Sequence, residues 1–269
     1  VEDVYDVQVP GINTFDGNGF HAHNCGEQML PPNGACLLGS IDLTKFVMRP
    51  FREDATFNHK GYNAIVGMFT RMLDNVVEMN GLPLEQQREE ILYKRRHGMG
   101  FYGLGSALAM LGMRDGPREA GAFTGEISRQ RALRGWKTDL GRATEKGPGA
   151  SMSDKSEVAQ EWLAARQEIS HDGYTVGDEV PGRILHARYS RYMQKIAEED
   201  PALVDELANV GARFTHHTSI APTGTIALSF GNNASNGIEP SFAHEYSRNV
   251  IRQGRKTKER VDVFSKEFL

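Results

Sequence analysis

The chain has 269 residues, 31 of them Lys or Arg and 35 Asp or Glu, for a formal net charge of -4. An apolar fraction of 39% with only 11 prolines suits a globular protein with a sizeable core and excludes a disordered one. The negative charge argues against direct nucleic-acid binding, and the absence of any long apolar run or basic leader argues against a membrane span and a secretion signal.

A cytoplasmic setting is therefore expected, where two cysteines, Cys25 and Cys36, are more often catalytic, ligating or inert than a structural disulfide. The sequence opens on Val1 rather than methionine and closes at Leu269 after a charged run, and is read as part of a longer chain. In chain order, "VYDVQV" alternates as a strand, "PGINTFDGNGF" supplies turn residues and "FHAHN" resumes an extended pattern, which predicts small antiparallel β-structure. From about position 62 the period becomes helical, with Ile65, Met68, Met72, Leu73, Val76 and Val77 in "YNAIVGMFTRMLDNVVEMN". Helices are also predicted through Ile127, Leu133, Trp136 and Leu140, and through "KSEVAQEWLAARQEI", "RILHARYSRYMQKIAEED" and "PALVDELANVGARF". "EKGPGASMSDKSE" reads as an exposed loop, and "TSIAPTGTIALSFGNNASNGIEP" as strand ends and loops.

The stretch "HAHNCGEQMLPPNGACLLGSIDL" holds both thiols. In "HNC", the amide of Asn24 can attack its own carbonyl and release the following peptide bond when His23 protonates the leaving group, and Cys25 can act as a thiol nucleophile. Three residues alone are weak evidence. "VEDVYDVQVPGINTFDGNGFHAHN" followed by cysteine resembles the C-terminal splicing blocks of inteins over about 24 residues. The resemblance makes Asn24 the cyclising residue, His23 its assistant, Asp6 the block aspartate and Cys25 the first host residue. It departs at Asn13, where many inteins carry histidine.

From Cys25 onward, "CGEQMLPPNGACLLGSIDLTKFV" resembles the active-site finger loop of ribonucleotide reductases, and the eleven-residue separation of the thiols resembles the adenosylcobalamin-dependent class. The likeness continues in "KRRHGMGFYGLGSALAMLG", "GRILHARYSRYMQ" and "HHTSIAPTGTIALSFGNNASNGIEPSFAHEYSRNVIRQGRKTKERVD". It implies an α/β fold, part of a ten-stranded barrel with a central finger loop, over residues 25–269, after an intein splicing segment at 1–24. It implies Cys25 as the thiyl-radical position, Glu27 as the base for the 3′-hydroxyl proton and Cys36 as one member of the reducing dithiol. The same resemblance places the partner cysteine and a host asparagine in the missing N-terminal half of the protein. It further implies adenosylcobalamin, a ribonucleotide substrate, with a lean toward diphosphates, and a thioredoxin or glutaredoxin-type reductant. A carboxylate with a reference pKa of about 4.3 is ionised at neutral pH and can accept that proton.

Pro222, Thr223, Gly224 and Thr225 offer hydroxyls, a close backbone approach and N–H groups ahead of a helix. Alone they are an ordinary turn more often than a site; the resemblance makes them the substrate-phosphate loop. Glu239 in "SNGIEP" is placed in the same region as a structural or supporting residue. Other patterns have plainer readings. Gly98, Gly100 and Gly103 in "GMGFYG" follow a charged stretch instead of a strand, which favours close helix packing over a dinucleotide site. His21, His23 and Cys25 alternate as metal ligands could, but no fourth ligand is apparent and no metal is assigned. His216 and His217 read as hydrogen-bonded structure, and the basic run from Arg248 to Arg260 as a solvated helix face.

Three alternatives stand beside the leading one. They are a large subunit that takes its radical from a metalloprotein partner, a self-splicing element on a passive nucleotide-binding host, and a phosphate-binding module without redox chemistry.

Overall fold

The computed structural model describes residues 14–17, 20–23, 27–28, 30–113, 118–231, 237–238, 243–251, 258–266 and 269, with the backbone alone for 14–17, 20–23 and 248. Strands β1 (Thr14–Gly17) and β2 (Phe20–His23) form an antiparallel pair in which Thr14 faces His23 and Gly17 faces Phe20. The expected antiparallel structure is present, with β1 inside the stretch read as turn. Thr14 and Phe15, read as turn, are strand. The strand expected over "VYDVQV", with Asp6 and Asn13, lies outside the described residues.

The architectural centre is a parallel pair. β3 (Leu37–Asp42) leads through a 3-10 turn, Leu43–Phe46, and the short strands β4 (Val47–Met48) and β5 (Thr56–Phe57) into helix α1 (His59–Met79). α2 (Glu85–Lys94) follows, and the chain returns as β6 (His97–Tyr102), parallel to β3 with Leu37 beside His97 and Asp42 beside Tyr102. A third segment lies along the other edge of β6. The His97 N–H donates to the His216 carbonyl at 2.9 Å, that of Met99 to His217 at 2.9 Å, and that of Ser219 to Met99 at 3.1 Å. β6 is buried at all six positions, as a parallel strand covered on both faces should be. Among the described residues the parallel sheet consists of these three segments. The fold is α/β, and closure into a ten-stranded barrel is not seen.

One core lies where α1 and the start of α4 (Arg118–Lys146) cover the sheet: Ile41, Leu43, Tyr62, Val66, Leu73, Met99, Phe101 and Ile127. α3 (Leu104–Met110) begins at Gly103, in the left-handed region at φ 71°, and adds Leu104, Ala107 and Leu108. A second core joins Trp136 of α4 to Phe214, to Met193 of α9 (Arg191–Glu199) and to Leu203, Val204 and Leu207 of α10 (Pro201–Val210). Between them the chain makes α5 (Ala150–Ser153), β7 (Lys155–Glu157), α6 (Gln160–Ala165), α7 (Gln167–His171), β8 (Glu179–Pro181), α8 (Gly182–Ile184) and a π-helical turn, Leu185–Tyr189. The helices have readable starts: Asn58 accepts the Gly61 N–H at 2.8 Å ahead of α1, and Asp200 accepts that of Leu203 at 3.1 Å ahead of α10, with Pro201 in the first turn. After α11 (Gly224–Ser229), β9 (Glu245–Val250) and β10 (Glu259–Phe264) pair antiparallel.

The helix expected from about position 62 is α1, which buries Leu73 and Val77 with Tyr62, Val66 and Thr70 and leaves Ile65, Met68, Met72 and Val76 exposed. Ile65, Met68 and Met72 line an apolar groove of about 350 Å³ with Ile41 and Phe46. Four expectations are corrected. The run from Arg248 to Arg260, expected as a solvated helix face, has its described ends in the strands β9 and β10. Residues 145–157 are not a simple exposed loop, because they contain α5 and β7 and bury Gly149 and Met152. "TIALS" is helical, as α11, where strand ends and loops are expected. Over "KSEVAQEWLAARQEI" the helix is broken into α6 and α7, and its first residues are strand.

A buried ionic hub ties α1 to the rest. Asp74 is fully buried and takes hydrogen bonds from Arg95 at 2.5 Å, Arg213 at 2.8 Å and Arg142 at 3.2 Å. Burial alone would raise its pKa, but the bonds from Arg95 and Arg213 prevail and hold it down at about 2. Asp139, also buried, accepts the Arg213 N–H at 3.0 Å, and burial pushes its pKa well above the usual carboxylate range.

The second core carries histidines with an acid liability. His97 packs tilted against Phe214 with ring centroids 4.0 Å apart, and Phe214 stacks on His217 at 5.2 Å. Both imidazoles are buried and have no hydrogen-bond partner on either nitrogen among the described residues, which corrects the reading of His217 as hydrogen-bonded structure. Its neighbour His216 is exposed and has Nδ1 2.9 Å from Thr215 Oγ1. Burial pushes the pKa of His97 down to about 3 and that of His217 well below its usual value. The unfolded chain takes up these protons below about pH 6.5 and the folded chain does not, so stability is full above that pH and falls as pH drops towards 3. Each of the two histidines should add about 1.4 kcal/mol per pH unit to that fall. Urea titrations at pH 7 and pH 5 check this, and equal midpoints would refute it.

Candidate functional site

The face of the sheet turned away from α1 is lined by small residues. A Cβ at Gly98 would lie 2.5 Å from Cys36 Sγ and 2.5 Å from Leu38 Cδ2, and one at Gly100 would lie 2.5 Å from the Ser219 carbonyl oxygen. No larger residue fits beneath that thiol. The glycines of "GMGFYG" are therefore strand glycines making room for a neighbouring strand and a sulfur, which corrects the helix-packing reading. Gly103 has a different role, as the left-handed residue that starts α3.

Cys36, one residue before β3, is a half-buried free thiol. Burial raises its pKa to about 11; Arg96 pulls the other way, and Glu27 adds to the rise. Glu27 is exposed, on the loop that reaches the sheet one residue later. The Gln28 N–H donates to Ser219 Oγ at 3.1 Å, and the Gln28 side-chain amide donates to the carbonyls of His97 and, at 3.3 Å, Thr218. A thiol held neutral can give up a hydrogen atom or a proton but is a poor nucleophile at neutral pH. Alkylation of Cys36 by iodoacetamide at pH 7 should run about 10²-fold slower than that of a free cysteine of pKa about 8.5. Peptide mass mapping after timed quenches measures this, and a rate equal to that of free cysteine would contradict the burial.

The segment that flanks β6 continues past Ser219 into Pro222, Thr223, Gly224 and Thr225. Thr223 sits in the left-handed region at φ 52° ahead of α11, and its carbonyl accepts the Ala227 N–H at 2.9 Å. Pro222 and Thr225 are exposed. Beyond the C-terminal end of β6, the Leu104 N–H donates to the Gly237 carbonyl at 3.1 Å, which brings part of "SNGIEP" to the start of α3. The structure thus gathers Glu27, Cys36, Gly98 and Ser219 on one side of the sheet, with the 222–225 loop on the continuation of the same segment.

Asp6, Asn24, Cys25 and Glu239 lie outside the described residues, and for His23 only the strand backbone is described. Among the described residues no group of His, Cys, Asp and Glu is arranged to hold a metal, and no helix is long and apolar enough to cross a membrane. Sequence reasoning missed Gln28, Arg96 and Ser219. The spacing of Gly98 and Gly100 by two, on one face of a strand, was the available signal for a cradle.

The family model "Ribonucleotide reductase, barrel domain" matches residues 20–267, and its start falls a few residues ahead of Cys25. A vitamin B12-dependent ribonucleoside-diphosphate reductase of Mycobacterium tuberculosis is 25% identical over 243 residues, covering 90% of this chain and 26% of the relative. One from Thermoplasma acidophilum is 26% identical, over 84% of this chain and 22% of the relative. A ribonucleoside-diphosphate reductase large subunit of African swine fever virus is 24% identical, over 84% and 27%. This chain spans about a quarter of the length of these relatives. With the match running through nearly every element described above, the chain belongs to the ribonucleotide reductase barrel-domain family.

Proposed function

We propose that the full-length protein containing this chain reduces ribonucleotides, diphosphates by preference, to deoxyribonucleotides by thiyl-radical chemistry. The observation that carries the reading is the cradle in which Cys36 Sγ lies over Gly98, within the electrostatic reach of Glu27. A thiyl radical on Cys25 takes the hydrogen atom from C3′ of the ribose, and Glu27 accepts the 3′-hydroxyl proton as the 2′-hydroxyl leaves as water. Two electrons then come from a dithiol that closes to a disulfide. Cys36 supplies one sulfur and a cysteine of the remaining chain the other, and a thioredoxin or glutaredoxin-type protein restores the pair. A thiol with its pKa near 11 arrives at this step protonated, as a hydrogen and proton source must. Pro222 to Thr225 would receive the substrate phosphates on exposed backbone and hydroxyl groups.

The relatives named as vitamin B12-dependent favour adenosylcobalamin as the source of the radical. A recess of about 460 Å³ lies between α1 and α4 around Lys60, Asn63 and Arg134 and includes no site residue, so it does not serve as the holder. The viral large subunits favour a second reading, in which a metalloprotein partner supplies the radical. Nucleotide reduction by the full-length protein with and without adenosylcobalamin separates the two: activity that needs the cofactor supports the first, activity that needs a second metalloprotein supports the other, and none under either condition overturns both.

Residues 1–24 are proposed to be the end of an intein, on the strength of Asn24 beside His23 and Cys25. In the full precursor Asn24→Ala should block release of the downstream segment, visible as retained precursor mass, and unchanged ligation would overturn the assignment.

A further inference from the structure

Gln28 makes three hydrogen bonds at the meeting point of three chain segments. Its own N–H reaches Ser219 Oγ at 3.1 Å, and its side-chain amide reaches the carbonyl of His97 at the start of β6 and that of Thr218, at 3.3 Å, on the flanking segment. Of the 27–28 pair, Glu27 is exposed and Gln28 is half-buried. The carboxylate of Glu27 is one residue from this anchor, and among the described residues no hydrogen bond to another side chain is made by Glu27 itself. Both strand carbonyls that Gln28 engages are acceptors, so the anchor requires a donor. A carboxylate in its place would set negative charge against two carbonyl oxygens.

We propose that Gln28 is the positioning residue of the catalytic loop: its amide staples the loop to β6 and to the 216–219 segment, and thereby fixes the place of Glu27 over the sheet. Ser219 is the second half of the same device, because its hydroxyl takes the loop's N–H while its backbone lies against Gly100. The segment that anchors the loop also runs on to Pro222 and Thr225, so one stretch of chain sets both the general base and the proposed phosphate loop. This inference rests on the reading of Glu27 as the base.

A base displaced by about 1 Å can lose about 10²-fold in rate while substrate binding, made elsewhere, is unchanged. In the full-length protein, Gln28→Ala should therefore lower kcat by about 10²-fold with KM held within about twofold and the melting temperature held within about 2 °C. Gln28→Glu should do no better than Gln28→Ala, since it restores size but not the donor. Ser219→Ala should show the same signature at smaller amplitude, about tenfold in kcat alone. A kcat within twofold of the parent for Gln28→Ala would overturn the proposal. So would a loss of kcat accompanied by an equal rise in KM or by a fall in melting temperature, because either would mark a merely structural role. The parent protein and Glu27→Gln run beside these variants. If the parent does not reduce nucleotides, or Glu27→Gln does so at the parent rate, the reading of Glu27 falls; if only the Gln28 variants behave as the parent does, that reading stands and this inference falls.

Discussion

In the full-length protein, Cys36→Ser should lower sustained nucleotide reduction by at least about 10³-fold, equivalent to about 4 kcal/mol. A hydroxyl occupies nearly the same space over Gly98, so the cradle should survive: the contact at risk there is with a Cβ at Gly98, not with a smaller atom at position 36. In the proposed role, what is lost is the chemistry. An oxygen cannot close a disulfide with the partner cysteine, so the two electrons that replace the departing 2′-hydroxyl have no source. Nucleotide affinity, measured by equilibrium binding, should stay within about twofold because the 222–225 loop is untouched. Sustained turnover by Cys36→Ser would refute the dithiol role, and lost nucleotide binding would show that the substitution had damaged the site.

The largest stability effect is expected at Asp74. Asp74→Asn should destabilise the fold by about 3–5 kcal/mol, because the change removes the anion that three buried or nearly buried guanidiniums share while leaving the guanidiniums in place. Arg95, Arg142 and Arg213 come from the end of α2, from α4 and from the approach to the 216–219 segment, so the hub couples the helical layer to the sheet. Glu78 also meets Arg95 and Arg213 but is partly exposed, and it cannot replace a fully buried partner. Denaturant unfolding of the full-length protein should show that loss directly. A loss of less than about 1 kcal/mol would show that Glu78 and solvent suffice. The effect has a pH counterpart. The pKa of Asp74 is depressed to about 2, so its contribution is fully present above about pH 4 and is lost as pH falls towards 2, below the range in which the histidines begin to act.

Helical periodicity made most helices legible, since α1, α4, α9 and α10 all fall within stretches whose apolar spacing announces them. The same spacing does not say which side of α1 is covered. Apolar residues on both faces look like one broad stripe, and only the sheet contacts distinguish Leu73 and Val77 from Met68 and Met72. β6 is hard to read as a strand because a charged stretch precedes its glycines and "HGMGFY" lacks the β-branched residues of a typical parallel strand. Its small residues answer to what lies on top of them, Cys36 and the Ser219 backbone, which a linear reading does not reveal. At the site, Cys36 and Glu27 stand out only through the family resemblance, since alone they read as a small buried hydrophobe and a loop carboxylate, and Gln28 and Ser219 do not stand out at all. Their significance comes from hydrogen bonds that join positions 191 residues apart in sequence.

The burial of Cys36 has a consequence for life under oxidative stress. Peroxide attacks thiolates, and a group with a pKa near 11 presents about one thiolate in ten thousand molecules at pH 7. The sulfur proposed above as half of the reducing dithiol is thereby shielded from sulfenic acid formation. The same shielding slows its capture of stray soft metal ions, which also require the deprotonated form.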